Sequence, residues 1–268
     1  MIDFRGRQVQ SGRLIFRQSH MDMRKTMKKT DQTVFVTGAD RGIGRATVIR
    51  ALKEGYSVVA ASWKPITERA EFLEEKLPDA KLSFVDFDVR DAKAVTEKIG
   101  DVLKTFGRID ILVNVAGISY FGNALNCTEE EWDKTLATNV KGYFLLAQAV
   151  LSDMCERKDG KIINLSSIWG QRGSANMMAY SVSKFAIEGF TKSLQEFARP
   201  SSVRVTSIVL DKVDTDFREY MEGKVFFTPE QCKLMLSVND VTDAIFSVID
   251  SSATCHISTV TLEAYLFK

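Results

Sequence analysis

From residue 33 onward, short and continuous apolar runs alternate with longer segments that have helical periodicity. The runs typical of buried strands are TVFVTG (33–38), SVVAAS (57–62), KLSFVDFDV (81–89), DILVNVAG (110–117), KIINLSS (161–167), VRVTSIV (203–209) and ISTVTL (257–262). Apolar spacing predicts helices over 45–56, 68–77, 91–106, 129–157, 179–198 and 240–250. Continuous apolar strands separated by helices predict a parallel sheet covered on both faces. We therefore expect an α/β fold, a doubly wound and mostly parallel seven-stranded sheet with helices on both faces, in a single domain.

The beginning of the chain has a different character. Its first thirty residues hold eight Lys or Arg and two Asp, without a periodic apolar pattern. We predict a basic, flexible tail over 1–31 and one domain over 32–268. A basic and acid-poor leader is also typical of mitochondrial targeting, although Asp3 and Asp22 count against it. We expect a cytoplasmic protein, with a mitochondrial location as the alternative.

Composition excludes several classes of protein. The net charge of the 268 residues is +1, which gives no basic face for nucleic acid. No apolar run reaches the ~20 residues that span a bilayer. The two His (20 and 256) do not favour a metal site or a Ser-His-Asp triad, and the four Cys lack CxxC spacing. We expect no metal, nucleic-acid or membrane partner, and free thiols in a reducing compartment.

A glycine-rich loop, TGADRGIG (37–44), joins the first predicted strand to the first helix. Gly38 suits a sharp turn, Gly42 a close backbone approach to a ligand, and Gly44 close helix–strand packing. The free N–H groups at the helix start suit a pyrophosphate. Such a loop can also be an ordinary tight turn, but its place between strand and helix favours dinucleotide binding in a Rossmann-type sheet.

Tyr180 and Lys184 in AYSVSK (179–184) are four residues apart, so on a helix they share one face. An ammonium nearby favours the phenolate and lowers the pKa of a tyrosine, which then can exchange a proton with a carbonyl or an alcohol. Ser167, at the end of the preceding strand, is expected at the same sheet edge. An exposed lysine beside a core tyrosine is the alternative.

Together these patterns resemble the short-chain dehydrogenase/reductase family over about 32–262. TGADRGIG is similar to the family's TGxxxGxG loop, and NVAG (114–117) to its NAAG, with Val115 in place of the first Ala. TNV (138–140) carries the family's helix asparagine as Asn139. NLSS (164–167) and YSVSK (180–184) place Ser167, Tyr180 and Lys184 at the family spacing.

The resemblance implies a role for each member of this set. Tyr180 is expected to be the acid in reduction and the base in oxidation, as hydride moves between nicotinamide and substrate carbon. Lys184 is expected to bind the nicotinamide ribose and to lower the Tyr180 pKa. Ser167 is expected to hold the carbonyl oxygen, and Asn139 a water in a proton relay.

The family pattern also indicates the cofactor, which we expect to be NADP(H) rather than NAD(H). Ser62 stands where NAD-preferring members carry an acidic residue, while Arg41 and Lys64 supply cations that suit a 2′-phosphate. Both cations can also be ordinary solvated side chains. The full set of expected cofactor contacts is Gly38, Asp40, Arg41, Gly42, Ile43, Gly44, Ser62, Lys64, Asp88, Val89, Asn114, Ala116, Gly117, Tyr180, Lys184, Val213 and Thr215.

The stretch IVLDKVDTDF (208–217) departs from the family pattern. Leu210 and Asp211 replace its Pro-Gly, whereas Val213 and Thr215 keep the register that contacts the nicotinamide carboxamide. We expect an altered nicotinamide shelf, with unusual cofactor affinity. The long connection 210–238 is a candidate lid or binding loop.

The resemblance implies an oxidoreductase that acts on a carbonyl or a secondary alcohol. Alternatives are a 3-ketoacyl-thioester reductase of the same fold and a cofactor-binding regulator that has lost catalysis. Helices 129–157 and 179–198 are expected to form a homodimer or homotetramer. Residues that can line a substrate pocket are Tyr120, Trp169, Gln171, Met177 and Met221.

Overall fold

The computed structural model describes residues 28–65, 81–218 and 227–267. The predicted helix 68–77, Met221 and most of the predicted tail lie outside these residues. The strands of the described part are β1 (Thr33–Thr37), β2 (Ser57–Ser62), β3 (Leu82–Asp86), β4 (Ile111–Asn114), β5 (Gly160–Leu165), β6 (Val203–Leu210) and β7 (Thr259–Leu262). Its helices are α1 (Gly42–Lys53), α2 (Ala92–Phe106), α3 (Glu129–Leu136), α4 (Gly142–Glu156), α5 (Met178–Ala198), α6 (Pro229–Cys232) and α7 (Val238–Ile249).

The strands form one sheet in the order β3-β2-β1-β4-β5-β6-β7, and each neighbouring pair is parallel. The chain builds outward from β1 in one direction and from β4 in the other. The crevice between β1 and β4 is therefore the topological switch point, where doubly wound sheets bind their ligands. The predicted fold class is confirmed, and the described sheet is wholly parallel.

Alternate residues of each strand point to opposite faces, and each face has its own core. Val34 and Val36 pack with apolar residues of α1 and α7 on one face. Phe35 packs on the other face with residues of α2, α4 and α5. Both faces of the central strands are buried, which explains why their sequences are continuously apolar.

Strand β4 is shorter than its apolar run. The backbone N–H groups of Val115 and Ala116 donate to the Thr37 hydroxyl, at 3.0 and 3.1 Å. Those two N–H groups therefore do not pair with a neighbouring strand, and the chain turns away from the sheet after Asn114. The loop that follows is fixed beside the glycine-rich loop.

The helix expected over 129–157 is interrupted. Residues Ala137–Lys141 form a π-helical turn between α3 and α4, in which the N–H of Gly142 bonds to the carbonyl of Ala137. Asn139 lies in this turn and is fully buried. Its side chain donates to the Ile118 carbonyl and accepts from the Ile118 N–H, both at 2.9 Å. Helical periodicity does not reveal such an insertion, which often marks a functional position.

The ordered fold includes the end of the predicted tail. Residues Lys29–Asp31 form a single 3₁₀ turn. The Lys29 ammonium lies 2.6 Å from a Glu54 carboxylate oxygen and 3.1 Å from one of Asp250. This basic residue therefore attaches the chain to the ends of α1 and α7.

Candidate active site

A cavity of about 670 Å³ opens at the carboxyl ends of the strands, beside the switch point. Its volume is typical of sites for small molecules and cofactors. The predicted residues that line it are Gly38, Asp40, Arg41, Gly42, Ile43, Ser62, Lys64, Asp88, Val89, Ala116, Gly117, Ser167, Tyr180, Lys184, Val213 and Thr215. Gly44, Asn114 and Asn139 are not among the lining residues.

The glycine-rich loop has the conformation that its glycines allow. Gly38 and Gly42 adopt left-handed backbone, with φ of 62° and 51°. A Cβ at Gly38 would lie 3.0 Å from the backbone of Ala116, and a Cβ at Gly44 would collide with the Gly38 carbonyl. The loop thus turns sharply, packs tightly on the β4 side, and leads into the N-terminus of α1, whose free N–H groups suit an anion.

One end of the cavity has cations and a buried hydroxyl. Ser62, at the end of β2, is 4% exposed, and its Oγ has no hydrogen-bond partner among the described residues. Lys64 lies nearby with its ammonium 4.5 Å from the centre of the Trp63 ring. The Arg41 guanidinium donates to the Asp216 carbonyl at 2.7 Å, which links the glycine-rich loop to the connection after β6.

Asp88 does not present a free carboxylate to the cavity. The Arg90 guanidinium donates to it through Nε at 2.9 Å and through NH2 at 2.6 Å. This pairing lowers the pKa of Asp88. A ligand that reaches this wall therefore meets an ion pair whose charges largely cancel.

Tyr180 and Lys184 project from the first two turns of α5 into the cavity. The Lys184 ammonium lies 5.4 Å from the centre of the Tyr180 ring and donates to the Leu165 carbonyl at 2.8 Å. Lys184 is 4% exposed, and burial lowers its pKa to about 8. It is thus a largely protonated lysine at neutral pH, and its low-dielectric surroundings strengthen its field at Tyr180.

Ser167 lies just beyond the end of β5, where a 3₁₀ turn begins. Its Oγ accepts the N–H of Trp169 at 3.2 Å. Within the described residues the hydroxyl proton has no protein acceptor, so it can be donated to a ligand oxygen. Ser167 and Tyr180 line the same cavity.

A buried chain of hydrogen bonds positions Tyr180. The Asn139 amide donates to Ser183 Oγ at 3.0 Å, and the Ser183 hydroxyl donates to the Tyr180 carbonyl at 2.7 Å. The amide of Asn139 is occupied by Ser183 and Ile118. It thus connects the π-helical turn to the first turn of α5 and is not directed at the substrate space.

Comparison with known proteins agrees with this arrangement. Residues 32–224 match the family model described as short chain dehydrogenase. The chain belongs to the short-chain dehydrogenase/reductase family. It is 32% identical over 199 residues to 3-oxoacyl-(acyl-carrier-protein) reductase FabG of Staphylococcus aureus, with 74% of this chain and 80% of the relative covered.

Two further relatives are informative. Oxidoreductase UcpA of Salmonella typhimurium is 36% identical over 195 residues, covering 72% of this chain and 73% of that protein. A metagenomic short-chain oxidoreductase solved in complex with NADP has a TM-score of 0.74 at 28% identity, covering 88% of this chain and 98% of its own. The protein is therefore a short-chain dehydrogenase/reductase enzyme by family.

Sequence reasoning missed Thr37, Ser183, Asn164 and Thr191, which support the site of this family member, whereas Asn114 was among the expected cofactor contacts. Thr37 and Ser183 are described above. Asn114 donates to Asn164 Oδ1, and Asn164 donates to Thr191 Oγ1, each at 2.9 Å. Asn114 and Asn164 are wholly buried. For Asn164, the sequence signal was a polar residue near the end of β5.

The departure from the family's Pro-Gly does not strain the backbone. Among the described residues, the non-glycine residues with positive φ are Lys158 and Ser202, so Asp211 occupies ordinary backbone. The Asp211 N–H donates to the Leu262 carbonyl at 3.0 Å, and its carboxylate accepts from Ala264 N–H at 3.4 Å. Asp211 is therefore turned toward the C-terminal segment that follows β7.

Among the described residues there is no helix long and apolar enough to cross a bilayer. The same residues hold no group of three or more His, Cys, Asp or Glu that could ligate a metal.

Proposed function

We propose that this protein is an NADP(H)-dependent oxidoreductase that interconverts a carbonyl compound and a secondary alcohol. The observation that best supports this proposal is that Ser167, Tyr180 and buried Lys184 share one cavity with a glycine-rich loop at a helix N-terminus. A proton donor, its cation and a binding site for pyrophosphate are thereby in one compartment.

The chain's own residues perform the proton chemistry. Ser167 donates a hydrogen bond to the substrate oxygen and orients it toward Tyr180. In reduction Tyr180 gives its proton to that oxygen, and the Lys184 ammonium stabilises the phenolate left behind. In oxidation the phenolate takes the proton from the alcohol. The water of the expected relay would have to bond another group of the π-helical turn, because the Asn139 amide already donates to Ile118 and Ser183.

The cavity fits a nicotinamide dinucleotide. The left-handed glycines leave room for a pyrophosphate, and the unpartnered hydroxyl of Ser62 lies where the adenosine ribose would bind. When bound, the cofactor supplies or accepts the hydride. The apolar and amide parts of the cofactor would be held by Ile43, Val89, Ala116, Val213 and Thr215.

NADP(H) is the cofactor we propose. Ser62 brings no carboxylate to repel a 2′-phosphate, and Arg41 and Lys64 line that end of the cavity. The neighbouring Asp88 is neutralised by Arg90. The metagenomic relative that was solved with NADP supports the same choice.

A second candidate function is reduction of 3-ketoacyl thioesters, because the relatives include proteins named 3-oxoacyl-(acyl-carrier-protein) reductase. Activity on acyl-carrier thioesters, compared with free ketones, separates the two functions. A regulator without catalysis is disfavoured by the complete set of Ser167, Tyr180 and Lys184.

We also propose a homodimer or homotetramer formed through α4 and α5. Phe144 and Phe185 are 44% and 47% exposed on these helices. Four thiols that are not in disulfides favour a reducing compartment, and we propose the cytoplasm, with the mitochondrion as the alternative.

The test is a panel of ketones, aldehydes and secondary alcohols, scored by NADPH absorbance with NADPH, NADH and their oxidised forms. We expect turnover of at least one carbonyl class with preference for NADPH. Cofactor binding without turnover of any substrate, thioesters included, would favour the regulator.

A further inference from the structure

Lys212 occupies a rigid position at the rim of the cavity, two residues beyond β6. Its carbonyl accepts from Leu236 N–H at 2.9 Å, and the adjacent Val213 pairs with Leu236 in an isolated parallel bridge. Lys212 lines the same cavity as Tyr180. The backbone that carries this side chain is therefore held in place, and Lys212 and Tyr180 line one cavity.

The Lys212 ammonium is held by two weak contacts. It lies 3.4 Å from Asp211 Oδ1 and 4.4 Å from the centre of the Phe267 ring. Asp211 also accepts from Ala264 N–H. A lysine ammonium has three donors, and within the described residues Asp211 is the one hydrogen-bond acceptor that it reaches. Donors remain for a ligand.

The wall around Lys212 is aromatic. The Phe217 ring lies 6.1 Å from the Tyr180 ring, and Phe227 lies 5.4 Å from Phe267 in an edge-on contact. Phe217 and Phe227 line the cavity. Phe267 thus touches both the cation and a wall residue, so the C-terminal segment fixes this side of the pocket.

The acidic residues of the cavity are distributed unequally between the Lys212 side and the end that suits the adenosine. Of the acidic residues on the lining, Asp40 and Asp88 belong to the glycine-rich loop and to the segment after β3. Asp211 is the acidic lining residue of the Lys212 side, and it is already shared between Lys212 and Ala264. An anion that approaches Lys212 would therefore meet one acidic side chain, which is already partly used.

We propose that Lys212 determines substrate specificity by binding the carboxylate of an apolar or aromatic carbonyl substrate, and that Phe267 is a positioning residue for its ammonium. This proposal rests on the proposed function, because it names the substrate class of the same site. Charge-assisted bonds to a carboxylate are the strong kind, and the aromatic rings accommodate the remainder of the substrate.

The test compares 4-formylbenzoate with its methyl ester, which differ in the charge and not in the reacting aldehyde. Lys212→Met should lower kcat/KM for the acid about tenfold or more and change that for the ester less than about twofold. Lys212→Arg should retain most of the preference. Phe267→Leu should raise KM for the acid with little change in kcat. Lys233→Met, an exposed lysine on the same connection, is the matched control and should change neither.

Equal losses on acid and ester, or no loss on either, would overturn the proposal. Calorimetric binding of both compounds to the enzyme with NADP⁺ bound gives a second readout that does not need turnover. If the wild type reduces neither compound, the proposed activity fails for this class. The anion site then still stands if Lys212→Met selectively weakens binding of the acid, and falls if it does not.

Discussion

The Lys184 ammonium lies 5.4 Å from the centre of the Tyr180 ring, and the same ammonium donates to the Leu165 carbonyl at the end of β5. One cation thus joins α5 to the sheet edge. Because the ammonium is almost completely buried, its charge lowers the stability of the folded protein, and its pKa falls to about 8. This cost gives a direct link between stability, pH and catalysis.

Lys184→Met should abolish turnover and yet raise the free energy of unfolding at pH 7. The pKa of Lys184 is about 8 in the folded protein and 10.5 for an unperturbed lysine, so between these two pH values the unfolded chain binds more protons. Below pH 8 the buried ammonium of Lys184 lowers the free energy of unfolding. This loss decreases as the pH rises from 8 toward 10.5. The penalty corresponds to about 3 kcal/mol at most.

Urea unfolding of both proteins at pH 7 and at pH 10 checks this prediction. The stability advantage of the variant should shrink at the higher pH, because the penalty has then largely disappeared from the wild type. A variant that is less stable at pH 7, or an advantage that grows with pH, would contradict the account.

Ser62→Asp should exchange the cofactor preference. A carboxylate at this buried position repels a 2′-phosphate and can bond the hydroxyls of an adenosine ribose. We expect kcat/KM for NADPH to fall by about two orders of magnitude while that for NADH rises or stays constant. Ser62→Ala is the size control and should keep the preference for NADPH. Unchanged preference in the Asp variant would show that Ser62 does not contact that end of the cofactor.

Phe185→Lys should shift the protein from dimer toward monomer. Phe144 of α4 lies edge-on to Phe190 of α5, with ring centres 6.5 Å apart, so the two helices pack side by side, and Phe185 is 47% exposed on α5. Burying a lysine in that surface costs more than the contact supplies. Light scattering measures the mass, and Leu125→Lys, an exposed leucine outside these helices, is the control. A monomeric wild type would contradict the proposed assembly.

Asp211→Gly should leave cofactor affinity within about twofold while it lowers stability by roughly 0.5–1 kcal/mol. The backbone at 211 needs no glycine, and the variant loses the contact with Ala264. Fluorescence titration with NADPH and thermal unfolding measure the two effects. A large gain in affinity would show that Asp211 does disturb the nicotinamide shelf, as its sequence first suggested.

Periodicity and loop chemistry were sufficient to predict the doubly wound sheet and the grouping of Ser167, Tyr180 and Lys184. They could not predict the π-helical turn at Asn139, because the apolar residues Leu136, Val140 and Phe144 are four positions apart, a spacing that also fits an uninterrupted α-helix. Thr37 and Ser183 were missed because each acts by bonding a backbone group. The Thr37 hydroxyl accepts the N–H of Val115, and the Ser183 hydroxyl donates to the carbonyl of Tyr180. The orientation of Asp211 depends on the C-terminal segment, 53 positions away in the chain, and has no local signal.

In the proposed function, Tyr180 exchanges the proton with the substrate oxygen. Tyr180→Phe removes one oxygen atom and keeps the ring, and Tyr265→Phe, 89% exposed, is the matched control. The measurement is single-turnover oxidation of NADPH with a substrate found in the panel, together with fluorescence titration of cofactor binding. The account predicts a loss of at least about a hundredfold in rate for Tyr180→Phe, with cofactor affinity retained and the control unchanged. A rate within tenfold of the wild type would contradict it.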